Sequence, residues 1–310
     1  MAMSFLCGTA VALAKTATCC IISTGMKKIH ISKLMPAVEI ARGDLSDWSV
    51  GFVKAITTSK SGDKETFAGV LAGSGVLITA NGLHAILTAD HVLKALPKTG
   101  PVGLILLSRL GLFDHQFLLQ MDYVQKITVA RGSDEAAGPD LGLLVLPRSD
   151  VARLESRKLF HNLDKRKIKM LAEASADKIG PWIMCGLVGE MTENTTPLAG
   201  MSTAIAFKGL CGPVVVTRVR HDEKFDYFSV EVNFGKGRGL PESYGGCSGS
   251  GLWRLVLGEK NGALTVEEIH LGGIAYYESA PHGDRKYIEC HGCKSIYENV
   301  VAAMADSNAE

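Results

Sequence analysis

The chain has 310 residues, with 33 Lys plus Arg against 32 Asp plus Glu, and its net charge of +1 provides no global field that would gather nucleic acid or an anionic membrane. Hydrophobic residues make up 46% and charged residues 21%, a globular balance that excludes a disordered or fibrous chain and is enough for one large core or two linked ones. The 34 glycines, many beside short apolar runs, favour a β-rich fold.

Residues 1 to 26 are mostly small or apolar, but Lys15 breaks the run after 14 uncharged residues and no basic residue precedes it. The run is too short for a membrane span and lacks the basic start of a good signal peptide. Residues 1 to 35 therefore read as a poorly ordered extension of a cytoplasmic protein, with an atypical export signal as the alternative. The pattern is mixed from Met35 to Asp47, and WSVGFVKAI, Trp48 to Ile56, reads as a first strand followed by a polar loop. In AGSGVLITANGLHAILTADHVLKAL, residues 72 to 96, two β-like runs flank Asn81-Gly82, the strongest short hairpin signal in the chain. His91 stands immediately after the second run, and Val92 to Leu96 fit one helical turn. Three further strands are expected in VGLILL, FLLQM and QKITVA, after which the turn-rich RGSDEAAGP delivers Asp140 to the mouth of LGLLVLP, a buried strand ended by Pro147.

Residues 148 to 172 alternate in charge, with DKRKIK at 164 to 169, and read as a solvated, partly helical linker. β-like texture resumes in WIMCGLVGEM, MSTAIAFKGL, PVVVTRV and FDYFSVEVNF. GGCSGSGLW, 245 to 253, then sets Ser248 among glycines, and Asn261-Gly262 separates two more strands. SIYENVVAAMA, 295 to 305, has the apolar period of a closing helix. The eight cysteines are scattered as Cys7, Cys19 and Cys20, then Cys185, Cys211 and Cys247, then Cys290 and Cys293. That spread suits free thiols in a reducing compartment better than a disulfide framework. CHGC at 290 to 293 has metal-ligand spacing without a second such pair, so neither a metal nor another cofactor is expected.

A serine hydroxyl is a poor nucleophile at neutral pH, so acyl transfer needs a base to take its proton and a third group to fix the base. Histidine suits that proton, and a buried carboxylate on its other nitrogen sets the tautomer. His91, Asp140 and Ser248 are these three types, each at the end of a β-like run beside turn sequence. Taken singly, GGCSGSGLW is also a tight loop and His91 also a core histidine; Asp134 and Asp122 compete with Asp140, whose following strand favours it. No P-loop, dinucleotide glycine pattern or paired metal carboxylates point to phosphoester or nucleotide chemistry.

TADHV around His91, GPDLGLLVLP around Asp140, GCSGSGLW around Ser248 and the preceding strand GSGVLI at 73 to 78 together resemble the chymotrypsin-like serine proteases, over about residues 48 to 278. The resemblance implies an all-β fold of two six-stranded antiparallel β-barrels with a C-terminal helix. Residues 36–150 would form the first barrel with His91 and Asp140, 151–175 the linker, 176–290 the second barrel with Ser248, and 291–310 the helix. It implies a trypsin-like serine endopeptidase with a polypeptide substrate and neither nucleic acid nor membrane as partner. Ser248 would attack, His91 would serve as base then acid, and Asp140 would orient His91. Backbone N–H groups of Gly246 and Ser248 would form the oxyanion hole, Glu242 would lie near the floor of the specificity pocket, and GGIAYY at 272 to 277, with Gly273, Ile274 and Ala275, would be the strand along which the substrate backbone pairs. The chain departs from the digestive enzymes at Cys247, where they have an aspartate, and at Val92, where they have a disulfide cysteine. Viral cysteine proteases of this fold make Cys247 a rival nucleophile, but Gly246 and Gly249 frame Ser248 as G-x-S-G. The alternative reading is a non-catalytic, protease-like module that holds a peptide or partner.

Overall fold

A computed structural model describes residues 5–9, 21–24, 27–61, 64–107, 117–172, 181–191, 193–195, 204–235, 240–283 and 285–309. Three short strands, β1 (Phe5–Thr9), β2 (Ile21–Thr24) and β3 (Lys27–His30), precede helix α1 (Ile31–Trp48). The next strands are β4 (Ser49–Ser61), β5 (Lys64–Ala80), β6 (Leu83–Thr88), β7 (Pro101–Leu106), β8 (Phe117–Gln120), β9 (Gln125–Arg131) and β10 (Asp140–Val145). They pair in the order β8-β7-β4-β5-β6-β10-β9, with a two-residue β11 (His161–Asn162) added parallel to β5.

The second sheet takes β12 (Trp182–Leu187), β13 (Glu193–Thr195), β14 (Ala204–His221), β15 (Asp226–Asn233), β16 (Gly251–Lys260), β17 (Ala263–Glu278) and β18 (Arg285–His291). Here β14, β12, β16, β17, β18 and β15 pair in turn, and β15 pairs back to β14, so six strands close a ring. β13 pairs with β14 as well, and β1 joins it in parallel. The molecule is thus mostly β. Of the two expected six-stranded barrels, the second sheet has the ring connectivity, whereas the first runs through seven strands and stays open among the described residues.

Turn chemistry explains the hairpins. Asn81 (φ 51°) and Gly82 (φ 76°), like Asn261 (φ 54°) and Gly262 (φ 77°), occupy the left-handed region that a two-residue turn between twisted strands demands. The two runs expected on either side of Pro213 are one strand, β14. It pairs with β12 up to Val214 and with β15 from Val215, so Pro213, which has no N–H to give, sits where the strand changes neighbour.

Helix α1 goes unread in the sequence because Pro36 and Gly43 weaken its helical signal. Burial restores it: Leu34, Val38, Ala41 and Leu45 form one inward stripe that packs on β17, and Trp48 stacks on Trp253 with ring centroids 5.1 Å apart. Strand β18 is likewise unread. The charged connection forms the helices α3 (Arg148–Glu155) and α4 (Lys167–Ala172), yet it is no solvated spacer, because Leu154, Leu163 and Met170 are buried. Lys158 is buried with them, its Nζ donating to the carbonyls of Ser46 and of Leu107 (2.7 Å for the latter). The expected closing helix forms as a π-helical turn, Ser295–Val300, running into α5 (Val301–Ala309). Among the described residues no helix is long and apolar enough to cross a membrane.

Candidate active site

The helix α2 (Asp90–Ala95) starts two residues after β6 and carries His91 in its first turn. Thr128 Oγ1 donates to Asp90 Oδ1 at 2.6 Å and ties that turn to β9. Asp140, the first residue of β10, is 2% exposed, so its carboxylate needs partners. It has three: the His91 backbone N–H reaches Oδ1 at 3.0 Å, His91 Nδ1 reaches Oδ2 at 2.6 Å, and Arg131 Nη1 stands 2.7 Å from Oδ1. Burial pushes the Asp140 pKa up, but the hydrogen bonds from His91 and the charges of His91 and Arg131 outweigh it and hold the carboxyl below its ordinary value. An ionised acceptor on Nδ1 favours the tautomer with the proton there, which leaves Nε2 free to act as a base.

Ser248 comes from the second sheet, on the loop that enters β16. Its carbonyl accepts the backbone N–H of Ser74, on β5 of the first sheet, at 2.7 Å. The Ser74 hydroxyl donates to the Gly246 carbonyl at 2.8 Å and accepts the Leu187 N–H at 2.9 Å, so one buried serine holds the Ser248 loop and β12 together. Gly249 has φ +89°, and a Cβ there would lie 1.9 Å from the Ser74 carbonyl oxygen and 2.2 Å from Thr88 Oγ1. Gly249→Ala should therefore cost about 3 kcal/mol or more, from left-handed strain plus overpacking against backbone. Urea unfolding measures this, and a loss below about 0.5 kcal/mol, the scatter of neutral surface changes, would contradict the packing.

Around the serine the backbone donors divide in two. Cys247 N–H donates to the Tyr244 carbonyl, Gly249 N–H to Ala275 and Ser250 N–H to Cys247, at 2.9, 2.7 and 2.8 Å. The N–H groups of Gly246 and Ser248 have no such partner among the described residues. The Gly245 carbonyl accepts the Gly189 N–H at 2.7 Å, and because a trans peptide points its C=O and N–H in opposite directions, the Gly246 N–H faces away from Gly189.

Cys247, the rival nucleophile, is 3% exposed and packs with Tyr244, Leu252 and Cys290. Burial pushes its thiol up to about 12, so it is protonated at neutral pH. Ser248 is partly exposed; its hydroxyl donates to the Tyr276 carbonyl at 3.4 Å, and no hydrogen bond joins it to His91 among the described residues.

The predicted substrate residues divide. The Glu242 side chain is exposed, while its backbone N–H reaches Glu190 Oε2 at 2.8 Å. Lys286 Nζ donates to the Glu242 carbonyl at 2.5 Å and pairs with Glu278 at 2.6 Å, which sets an ion pair beside this segment. The backbone of Ile274 and Ala275 is taken on both sides and that of Gly273 on one, which leaves Ile274 and Ala275 no edge for an added strand. Gly273 pairs with Leu252, Ile274 with Gly251 and His291, and Ala275 exchanges hydrogen bonds with Gly249 and Ser250. Pairing with β16 ends at Ile274, so Tyr276, Tyr277 and Glu278 lie beyond it with β18 on one side. The roles of Arg131 and Ser74 escape the sequence reading, and Tyr276 enters it only as part of the substrate strand GGIAYY. Arg131 faces Asp140 across β9 and β10, a pairing visible only once the register is known.

No protein-family model and no curated protein matches this sequence. Among solved structures it is similar to "HtrA-type protease AlgW with decapeptide", with a TM-score of 0.40 and 11% identity over 87% of this chain and 67% of that one. At that distance the likeness assigns no role to His91, Asp140 or Ser248.

Proposed function

We propose that this protein is a serine endopeptidase with the triad His91, Asp140 and Ser248 on a chymotrypsin-like pair of barrels. The barrels would be residues 36–150 and 176–290, joined through 151–175. The observation that carries the reading is the His91–Asp140 pair, 2.6 Å apart on the first sheet, with the Ser248 loop hydrogen-bonded to that same sheet through Ser74. On substrate binding Ser248 Oγ attacks the scissile carbonyl as its proton passes to His91 Nε2, and the imidazolium is stabilised by Asp140. The N–H groups of Gly246 and Ser248 take the negative charge that develops on the carbonyl oxygen. His91 then protonates the leaving amine, and water repeats the sequence to release the acyl group. An extended substrate adds beside Tyr276 to Glu278, the part of β17 that β16 leaves uncovered.

The experiment is labelling with a fluorophosphonate, followed by peptide mapping of the adduct. An adduct on Ser248 is expected; no adduct, or one on another residue, rejects the reading. One observation favours a second reading, a peptide-holding module without turnover: Ser248 Oγ is directed at the Tyr276 carbonyl rather than at His91. Peptide binding without any adduct would select it.

A further inference from the structure

His291 stands inside the CHGC stretch that metal-ligand spacing singled out, as the last residue of β18, and is fully buried. Its Nε2 accepts the backbone N–H of Asp140 at 2.9 Å, which places the ring proton on Nδ1. That Nδ1 is buried and has no hydrogen-bond partner among the described residues. Rings of Tyr276, Tyr227 and Phe225 enclose the imidazole, with centroids 4.8, 5.2 and 5.8 Å away. The charged groups around it are Asp140, Asp222 and Arg220, and burial pushes its pKa down to about 4, so the ring is neutral at neutral pH.

A buried imidazole with one nitrogen unsatisfied is a costly way to fill space, since an apolar ring of similar volume has no polar atom to bury. What the imidazole adds is a tie between the two halves. Asp140 opens β10 in the first sheet, and His291 ends β18 in the second. The same ring packs on Tyr276, whose carbonyl accepts the Ser248 hydroxyl. Resting on the serine peptidase reading of this site, we propose that His291 is a positioning residue. Its Nε2 holds the main chain of Asp140, and through it His91, in place relative to the Ser248 loop across the two sheets.

Two substitutions separate this role from simple packing. His291→Gln keeps an acceptor near the position of Nε2 and loses the ring; His291→Phe keeps the ring and loses the acceptor. The rate of fluorophosphonate labelling at Ser248 should fall about 10²-fold in His291→Phe, the scale of a misplaced catalytic group, while His291→Gln retains most of the wild-type rate. The low-field proton resonance of the His91 Nδ1–H shared with Asp140 should persist in the Gln variant and be lost or shifted in the Phe variant. That signal does not depend on turnover. A Phe variant as fast as, or faster than, the Gln variant overturns the positioning role while leaving the peptidase reading intact. An unlabelled wild type overturns the peptidase reading and this role with it. Near-UV circular dichroism checks each fold. If His291→Phe does not fold, His291→Gln decides alone: a wild-type rate and resonance support the role, and loss of both overturns it.

Discussion

Ser248→Ala should abolish fluorophosphonate labelling and reduce any peptide hydrolysis by about 10⁶-fold, the scale on which loss of a serine nucleophile is felt. Cys247→Ala should leave both within about tenfold, because a neighbour that only packs costs far less than a positioned base or nucleophile. The difference follows from where the two side chains lie. Cys247 is 3% exposed in an apolar cluster, and burial holds its thiol up to about 12, far from the pH at which a thiolate would form. Ser248 is partly exposed, and its N–H and that of Gly246 have no hydrogen-bond partner among the described residues. Iodoacetamide should accordingly fail to alkylate Cys247 in the folded protein and should alkylate it in urea. Labelling that survives Ser248→Ala and disappears in Cys247→Ala would reverse the assignment of nucleophile.

Asp140→Asn should slow labelling by about 10⁴-fold with the fold retained, as loss of the orienting carboxylate does in a Ser-His-Asp site. The amide can donate to His91 Nδ1, which moves the ring proton to Nε2 and removes the base. It also removes the closer of the two carboxylates that face Arg131, Asp140 Oδ1 at 2.7 Å, and leaves Glu135 at 3.4 Å. A dependence of stability on pH follows from the same carboxylate. Its folded pKa lies below its unfolded value, so its contribution is complete well above about pH 4 and is lost as the pH falls through the folded value. Wild type should therefore lose Tm more steeply than Asp140→Asn as the pH is lowered from about 5 to about 2. Parallel acid limbs, or an Asn variant that labels at the wild-type rate, would remove Asp140 from the proposed mechanism.

Much of the local structure was legible because short-range chemistry decides it. Asn81-Gly82 and Asn261-Gly262 favour left-handed two-residue turns by their own backbone preferences, and the apolar runs on either side pair as strands. The positions of His91, at the end of one strand, and Asp140, at the start of another, follow from the same punctuation. Helix α1 was not legible, because Pro36 and Gly43 argue against a helix and only the packing of Leu34, Val38, Ala41 and Leu45 on β17 overrides them. Strand β18 was hidden in RKYIECH, whose mix of charged and apolar residues becomes a strand through its two neighbours, β15 and β17.

The sequence by itself determined the residue types of the site, their order, and the glycines that free the backbone around Ser248. Only the tertiary structure decided what surrounds them. Arg131 meets Asp140 through strand register, Ser74 reaches the Gly246 carbonyl across 172 positions, and His291 reaches the Asp140 N–H across 151. Contacts of that span leave no local periodicity, since each partner satisfies its own strand pattern and the meeting is set by how the two sheets pack. The same packing buries Cys247, and that burial, rather than the G-x-S-G spacing, separates the two candidate nucleophiles most sharply.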